Sequence, residues 1–71
     1  MDERERMAIV ESILFVSGDP VDIRDIAKIL DMDLRPVRKL MGKLTDCYDF
    51  ERRGLQIIRV NDTYQLATRP E

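Results

Sequence analysis

Between Asp22 and Lys43 the sequence DIRDIAKILDMDLRPVRKLMGK spaces its apolar residues for two short helices that cross each other. Ile23, Ile26, Ala27 and Leu30 recur at helical intervals and share one face. Asp22 precedes them as an N-cap, and Asp25 adds negative charge to the first turn. Asp31-Met32-Asp33 then breaks the pattern. Asp33 is placed to cap a following helix, with Pro36 in its first turn, where a missing N–H costs little. Val37, Leu40, Met41, Leu44 and Tyr48 form the apolar face of that helix. A close crossing needs a small residue, and Ala27 supplies it. Ile26 and Leu30 stand before the turn, Met32 inside it, and Val37 and Leu40 beyond it. This is the spacing of a helix-turn-helix. One position departs from it. Asp31, four residues after Ala27, stands where glycine is usual, although aspartate tolerates the left-handed backbone region better than most residues.

The flanks extend the pattern. A first helix is predicted from about Glu3 to Val16, with Ile9, Val10, Ile13 and Leu14 as its apolar stripe, extended by Met7 and Val16. Ser17-Gly18-Asp19-Pro20 stops it, Gly18 as a left-handed cap and Pro20 by preventing continuation. Asp49–Gly54 reads as a connector. LQIIRV (55–60) and TYQLAT (63–68) read as strands joined by Asn61-Asp62. A two-residue turn pairs Val60 with Thr63, Arg59 with Tyr64 and Ile57 with Leu66. Leu55, Ile57, Tyr64 and Leu66 then share the face that packs on the helices. Three helices followed by a hairpin predict an α+β, mainly α fold, a winged helix-turn-helix. A short edge strand at Val21 would complete it. Residues 1–6 read as a charged lead-in and residues 7–71 as the domain. Leu40, midway along the third helix's stripe, is expected at the centre of the core, facing Ala27 and Leu66.

Composition narrows the function. A chain of 71 residues makes one small domain with a limited core, so a partner that adds buried area is physically reasonable. The formal charge is −2, whereas a dedicated nucleic-acid binder is usually basic overall. There is no histidine and one cysteine, which gives neither a metal set nor an internal disulfide. Ser12 and Ser17 have no histidine to act as base. The three glycines stand apart and form no phosphate loop. Cys47 lies at the edge of an apolar face, where a thiol is usually a small buried hydrophobe. The sequence therefore predicts no enzyme and no cofactor. No apolar run is long enough to span a membrane. MDERER lacks the basic start and apolar stretch of a secretion signal, so a reducing cytosol is expected.

Two faces are candidates for binding. Arg35, Arg38, Lys39, Gly42 and Lys43, with Asp46, fall on the side of the third helix opposite its core residues. A recognition helix presents that side to a major groove, and Arg52 and Arg53 follow nearby. The same face also reads as a protein-binding surface, or as a plain solvated one. It carries no Asn or Gln to read bases. Asp62 at the wing tip and Asp31 and Asp33 at the turn would repel phosphate. Gly42 inside a helix costs about 1 kcal/mol relative to alanine; it reads either as room for a second chain or as tolerated variation. On the first helix, Phe15 and Ala8 lie away from the main stripe, with Glu11 and Ser12 beside them. Met7, Ala8, Glu11, Ser12 and Phe15 form a candidate dimer or partner surface, an aromatic anchor being typical of one. The alternative is that a wing or loop of the same domain covers Phe15.

The order of these pieces resembles the N-terminal winged-helix domain of the segregation and condensation protein B family. The resemblance rests on Leu14-Phe15-Val16-Ser17-Gly18-Asp19-Pro20 closing the first helix, the helix-turn-helix, Gly54-Leu55 opening a strand, and Tyr64, Leu66 and Thr68 before Arg69-Pro70-Glu71. It covers residues 7–71, and Asp31 departs from the pattern. It implies a cytoplasmic, nucleoid-associated accessory subunit in chromosome segregation and condensation. The implied partners are a second copy of itself and the kleisin subunit, segregation and condensation protein A. Through the kleisin it would reach the SMC ATPase, with DNA contributing weakly or not at all. It also implies a second winged-helix domain, which this sequence does not contain. The alternative is a winged-helix transcriptional regulator that contacts DNA through the basic face of the third helix.

Overall fold

The structure, a computed structural model, describes residues 2–51 and 54–69. Its elements run α1 (Glu3–Ser17), β1 (Val21–Asp22), α2 (Ile23–Leu30), α3 (Leu34–Glu51), β2 (Leu55–Val60) and β3 (Thr63–Thr68).

Local chemistry sets most of these boundaries. The Asp2 carboxylate accepts from the Glu5 N–H at 2.9 Å and starts α1. Glu3–Arg6, read as a charged lead-in, are therefore the first turn of that helix. Gly18 ends it at φ 68°, donating its N–H to the Leu14 carbonyl. The Asp22 carboxylate accepts from the Arg24 N–H at 2.8 Å and caps α2. Asp31 ends α2 in the left-handed region, φ 54° and ψ 51°, and Met32 N–H then donates to the Ala27 carbonyl at 3.0 Å. The turn thus takes the shape a glycine would give it. Val37 N–H reaches the Asp33 carbonyl at 3.3 Å in the first turn of α3. That helix continues through Glu51, into the stretch expected as a connector. Nothing in Asp49-Phe50-Glu51 breaks a helix, and the first residue that readily would is Gly54.

The three strands form an antiparallel sheet in the order β1-β3-β2. The hairpin register is the one alternation predicts: Val60 opposite Thr63, Arg59 opposite Tyr64, Ile57 opposite Leu66. Asn61 takes the turn at φ 56°. Val21 pairs with Tyr64, and Ile23 N–H donates to the Asp62 carbonyl at 2.8 Å, so the start of α2 is held to the wing.

The core joins Val10 and Leu14 of α1 to Ile23, Ile26, Ala27 and Leu30 of α2. Val37, Leu40, Met41, Leu44 and Tyr48 of α3 and Ile57 and Tyr64 of the hairpin complete it. Met7, Ile9, Leu55 and Leu66 pack against it, half-buried. Two expectations need correction. Val16 does not extend the stripe of α1; it is 83% exposed. Leu40 is buried, but it borders a shallow cleft with Met32, Glu3 and Arg6. The fully buried residue in the middle of α3 is Met41, on the Tyr64 side, one 100° step around the helix.

Candidate partner-binding surfaces

The sequence after Leu14 turns α1 away from its own core. Leu14 is buried, and the next two residues, each 100° further round, point outward. Phe15 is 74% exposed, and nothing among the described residues covers it. Ala8 and Ser12 are exposed on the same helix, and the Ser12 hydroxyl is turned back to donate to the Ala8 carbonyl at 3.0 Å. Glu11 is half-buried. Met7 differs from its neighbours in the predicted surface, because its side chain packs against the domain's own core. Phe15 and Val16 border a groove of about 380 Å³, with Tyr48 of α3 and Leu55 and Leu66 of the hairpin along its floor and walls. Of the α1 surface expected from sequence, Glu11, Ser12 and Phe15 line this groove, while Met7 and Ala8 do not. Sequence reading missed the α3 and hairpin side, whose residues belong to core-facing stripes and gave no sign of reaching a surface.

The basic face of α3 is assembled as expected: Arg35, Arg38, Lys39, Gly42 and Lys43 are all exposed. Its charge is reduced by two partners that sequence could not supply. Arg38 Nη1 lies 3.3 Å from Asp62 Oδ1 at the hairpin turn, and Lys43 Nζ lies 3.0 Å from Glu3 Oε2 on α1. Among the described residues, Arg35 and Lys39 make no ion pair. A Cβ placed on Gly42 would meet nothing within 4 Å, so the position is open to solvent. Arg52 and Arg53 lie outside the described residues.

Other charged groups serve the scaffold. Arg24 grips Asp22 with Nε on Oδ1 at 3.0 Å and Nη2 on Oδ2 at 2.8 Å. These hydrogen bonds, with the one from the Arg24 backbone, lower the Asp22 carboxyl to about 2 and raise the Arg24 guanidinium. The Arg69 guanidinium donates to the Tyr48 carbonyl at 3.2 Å and to Asp49 at 3.4 Å, fastening the end of the hairpin to α3. Cys47 is half-buried on α3. Among the described residues no cluster of histidine, cysteine or carboxylate could hold a metal ion, and no helix is long and apolar enough to cross a membrane.

Three helices, the Ala27–Asp31 crossing and turn, and a hairpin completed by a short strand between α1 and α2 define a winged helix-turn-helix domain. An uncovered apolar feature among the described residues is the groove beside Phe15, away from the basic face of α3. The chain belongs to the ScpB family: the family described as segregation and condensation complex subunit ScpB matches residues 8–71. Segregation and condensation protein B of Alkaliphilus oremlandii is 38% identical over the whole chain, and that of Clostridium perfringens 44% identical over 92% of it. The chain spans only 38% and 34% of the lengths of those two proteins. A crystal structure described as a dimer of the ScpB N-terminal domain complexed with a ScpA peptide superposes with a TM-score of 0.86 at 28% identity. That match covers 93% of this chain and 83% of the other.

Proposed function

We propose that this domain acts in chromosome segregation and condensation as a self-associating module of a subunit that binds the kleisin, segregation and condensation protein A. It works by protein contact, without catalysis or a cofactor. The kleisin connects it to the SMC ATPase, the location is the cytoplasm beside the nucleoid, and DNA contributes little. A second winged-helix domain elsewhere in the protein shares the grip on the kleisin. The observation that carries this reading is the exposed Phe15 beside an apolar groove, a feature that a domain acting alone would gain by covering. Family membership and the dimer with its ScpA peptide in the related crystal structure support it. The proposed surface on α1 comprises Ala8, Glu11, Ser12 and Phe15.

Light scattering over a concentration series tests both partners. The chain alone is expected to approach the mass of two copies, and addition of segregation and condensation protein A to give a larger complex. A chain that stays monomeric at high micromolar concentration, and gains no mass with the kleisin, overturns the reading. The DNA-binding regulator is the second reading, favoured by Arg35 and Lys39, which pair with no described carboxylate. The engagement of Arg38 and Lys43 by carboxylates weighs against it.

A further inference from the structure

Resting on the self-association proposed above, we infer that the groove beside Phe15 receives Phe15 of a second copy across a two-fold axis. A closed two-fold contact uses the same patch on both partners, so the patch must carry a projection and its recess together. This one does. Phe15 projects from the last turn of α1, and the recess of Val16, Tyr48, Leu55 and Leu66 begins at its side. A cavity of roughly 150 Å³ lined by apolar side chains takes up benzene. The groove holds about 380 Å³, room for a phenyl ring as well as flanking atoms. Of its described lining residues Glu11 is the only charged one, so two copies meet with little to repel them. Among the described residues, the other exposed apolar side chains make no such pairing. Leu34 borders a recess whose other lining residues include Arg24, Lys28, Asp31 and Asp33, and Ile58 and Val60 stand on the outer side of the hairpin, away from the core face.

In this arrangement Phe15 of each copy lies against Val16 of the other. Phe15→Glu puts a carboxylate into the partner's groove, and Val16→Lys puts an ammonium where the partner's ring must lie. Both positions are exposed, so neither change disturbs the core. Each variant alone is expected to weaken self-association by at least about thirtyfold, the size of a hot-spot loss. Mixed in equal amounts, they regain it. The carboxylate introduced by Phe15→Glu in one copy then meets the ammonium introduced by Val16→Lys in the other, and the remaining Phe15 enters a groove whose Val16, Tyr48, Leu55 and Leu66 are unaltered. Val60→Lys, on an exposed apolar position outside the groove, leaves association unchanged. Sedimentation of the parent, the single variants and the mixture reads all of this, with circular dichroism to establish that each is folded. A monomeric parent overturns the self-association reading itself. A dimeric parent whose Phe15→Glu variant still dimerises overturns the groove contact alone. Two monomeric variants that do not associate when mixed overturn the reciprocal arrangement. A monomeric parent whose Phe15→Glu variant loses only kleisin binding assigns the groove to the kleisin instead.

Discussion

Arg38 of α3 and Asp62 of the hairpin turn face each other with Nη1 and Oδ1 3.3 Å apart, so the wing tip offsets one of the cations on the recognition face. In a DNA-reading winged helix the recognition helix and the wing would both face the nucleic acid. Here the carboxylate occupies the guanidinium, and Glu3 does the same for Lys43 at 3.0 Å.

The double change Asp62→Asn and Glu3→Gln releases both cations. It is expected to increase retention of duplex DNA in a mobility shift at low salt, and the gain should vanish near physiological salt, since few phosphates are neutralised. The melting temperature should barely move, because exposed pairs of this kind contribute about 0–1 kcal/mol. Sequence-selective binding by the parent that survives physiological salt would show that the DNA reading is the right one.

Asp31 holds a left-handed turn at the C-terminal end of α2, where the helix dipole disfavours negative charge. Asn tolerates the same backbone without the charge, so Asp31→Asn is expected to stabilise the domain by about 0.3–1 kcal/mol. Asp31→Ala loses the tolerance and should destabilise it by about 1 kcal/mol. Thermal melts of the two variants should move in opposite directions. A shift in the same direction would mean that the turn does not depend on this residue's conformation.

The Asp22–Arg24 pair makes stability depend on acid. The Asp22 carboxyl titrates at about 2 in the folded domain, against about 3.9 in an unfolded chain. A group depressed in this way contributes fully above about pH 4, and the contribution is lost as pH falls toward about 2. Asp22→Asn keeps a capping oxygen but not the ion pair. Its melting temperature should therefore fall less steeply between about pH 4 and pH 2 than that of the parent, and added salt should narrow the difference. Parallel curves would remove the pair from the account.

Met41 is fully buried between the helices and the hairpin, whereas Leu40 borders a cleft and Lys43 is exposed. Met41→Ala should cost about 2–5 kcal/mol, a loss comparable with the total stability of so small a domain. It is expected to be largely unfolded at 37 °C. Leu40→Ala should cost less, and Lys43→Ala less than about 1 kcal/mol. A melt series in which Leu40→Ala is the worst of the three would put the centre of the core back where the sequence stripe places it.

What the sequence made legible is what depends on near neighbours. Gly18 and Asp22 mark helix ends because a cap acts within a few residues. The hairpin register follows from alternation around Asn61-Asp62, since a slip of one residue would turn Ile57 and Leu66 to solvent. Ala27 and Asp31 locate the helix crossing for the same local reasons. What stayed hidden depends on distant residues. Glu3 and Lys43 are 40 positions apart, Arg38 and Asp62 24 apart, and no local pattern joins them. Val16 reads as core because it is apolar, but its direction is fixed by how α1 is rotated against α2 and the sheet. The groove beside Phe15 needs α1, α3 and the hairpin together, so periodicity along any one of them shows only a part of it.

Val21 and Asp22 pair with Tyr64 and Thr63, so a link made early in the chain is completed more than forty residues later. On a ribosome the helices can coil as they emerge, each from nearby residues. The sheet cannot close until β3 has cleared the exit tunnel, and that closure carries the loop entropy of nearly the whole domain. Before then, Tyr64 and Ile57 are not in place to seal the helices, and Met41 and Leu44 are open to other chains. The emergence of β3, the strand that joins β1 to β2, thereby sets the moment in synthesis at which the newborn domain stops being a hazard to its neighbours.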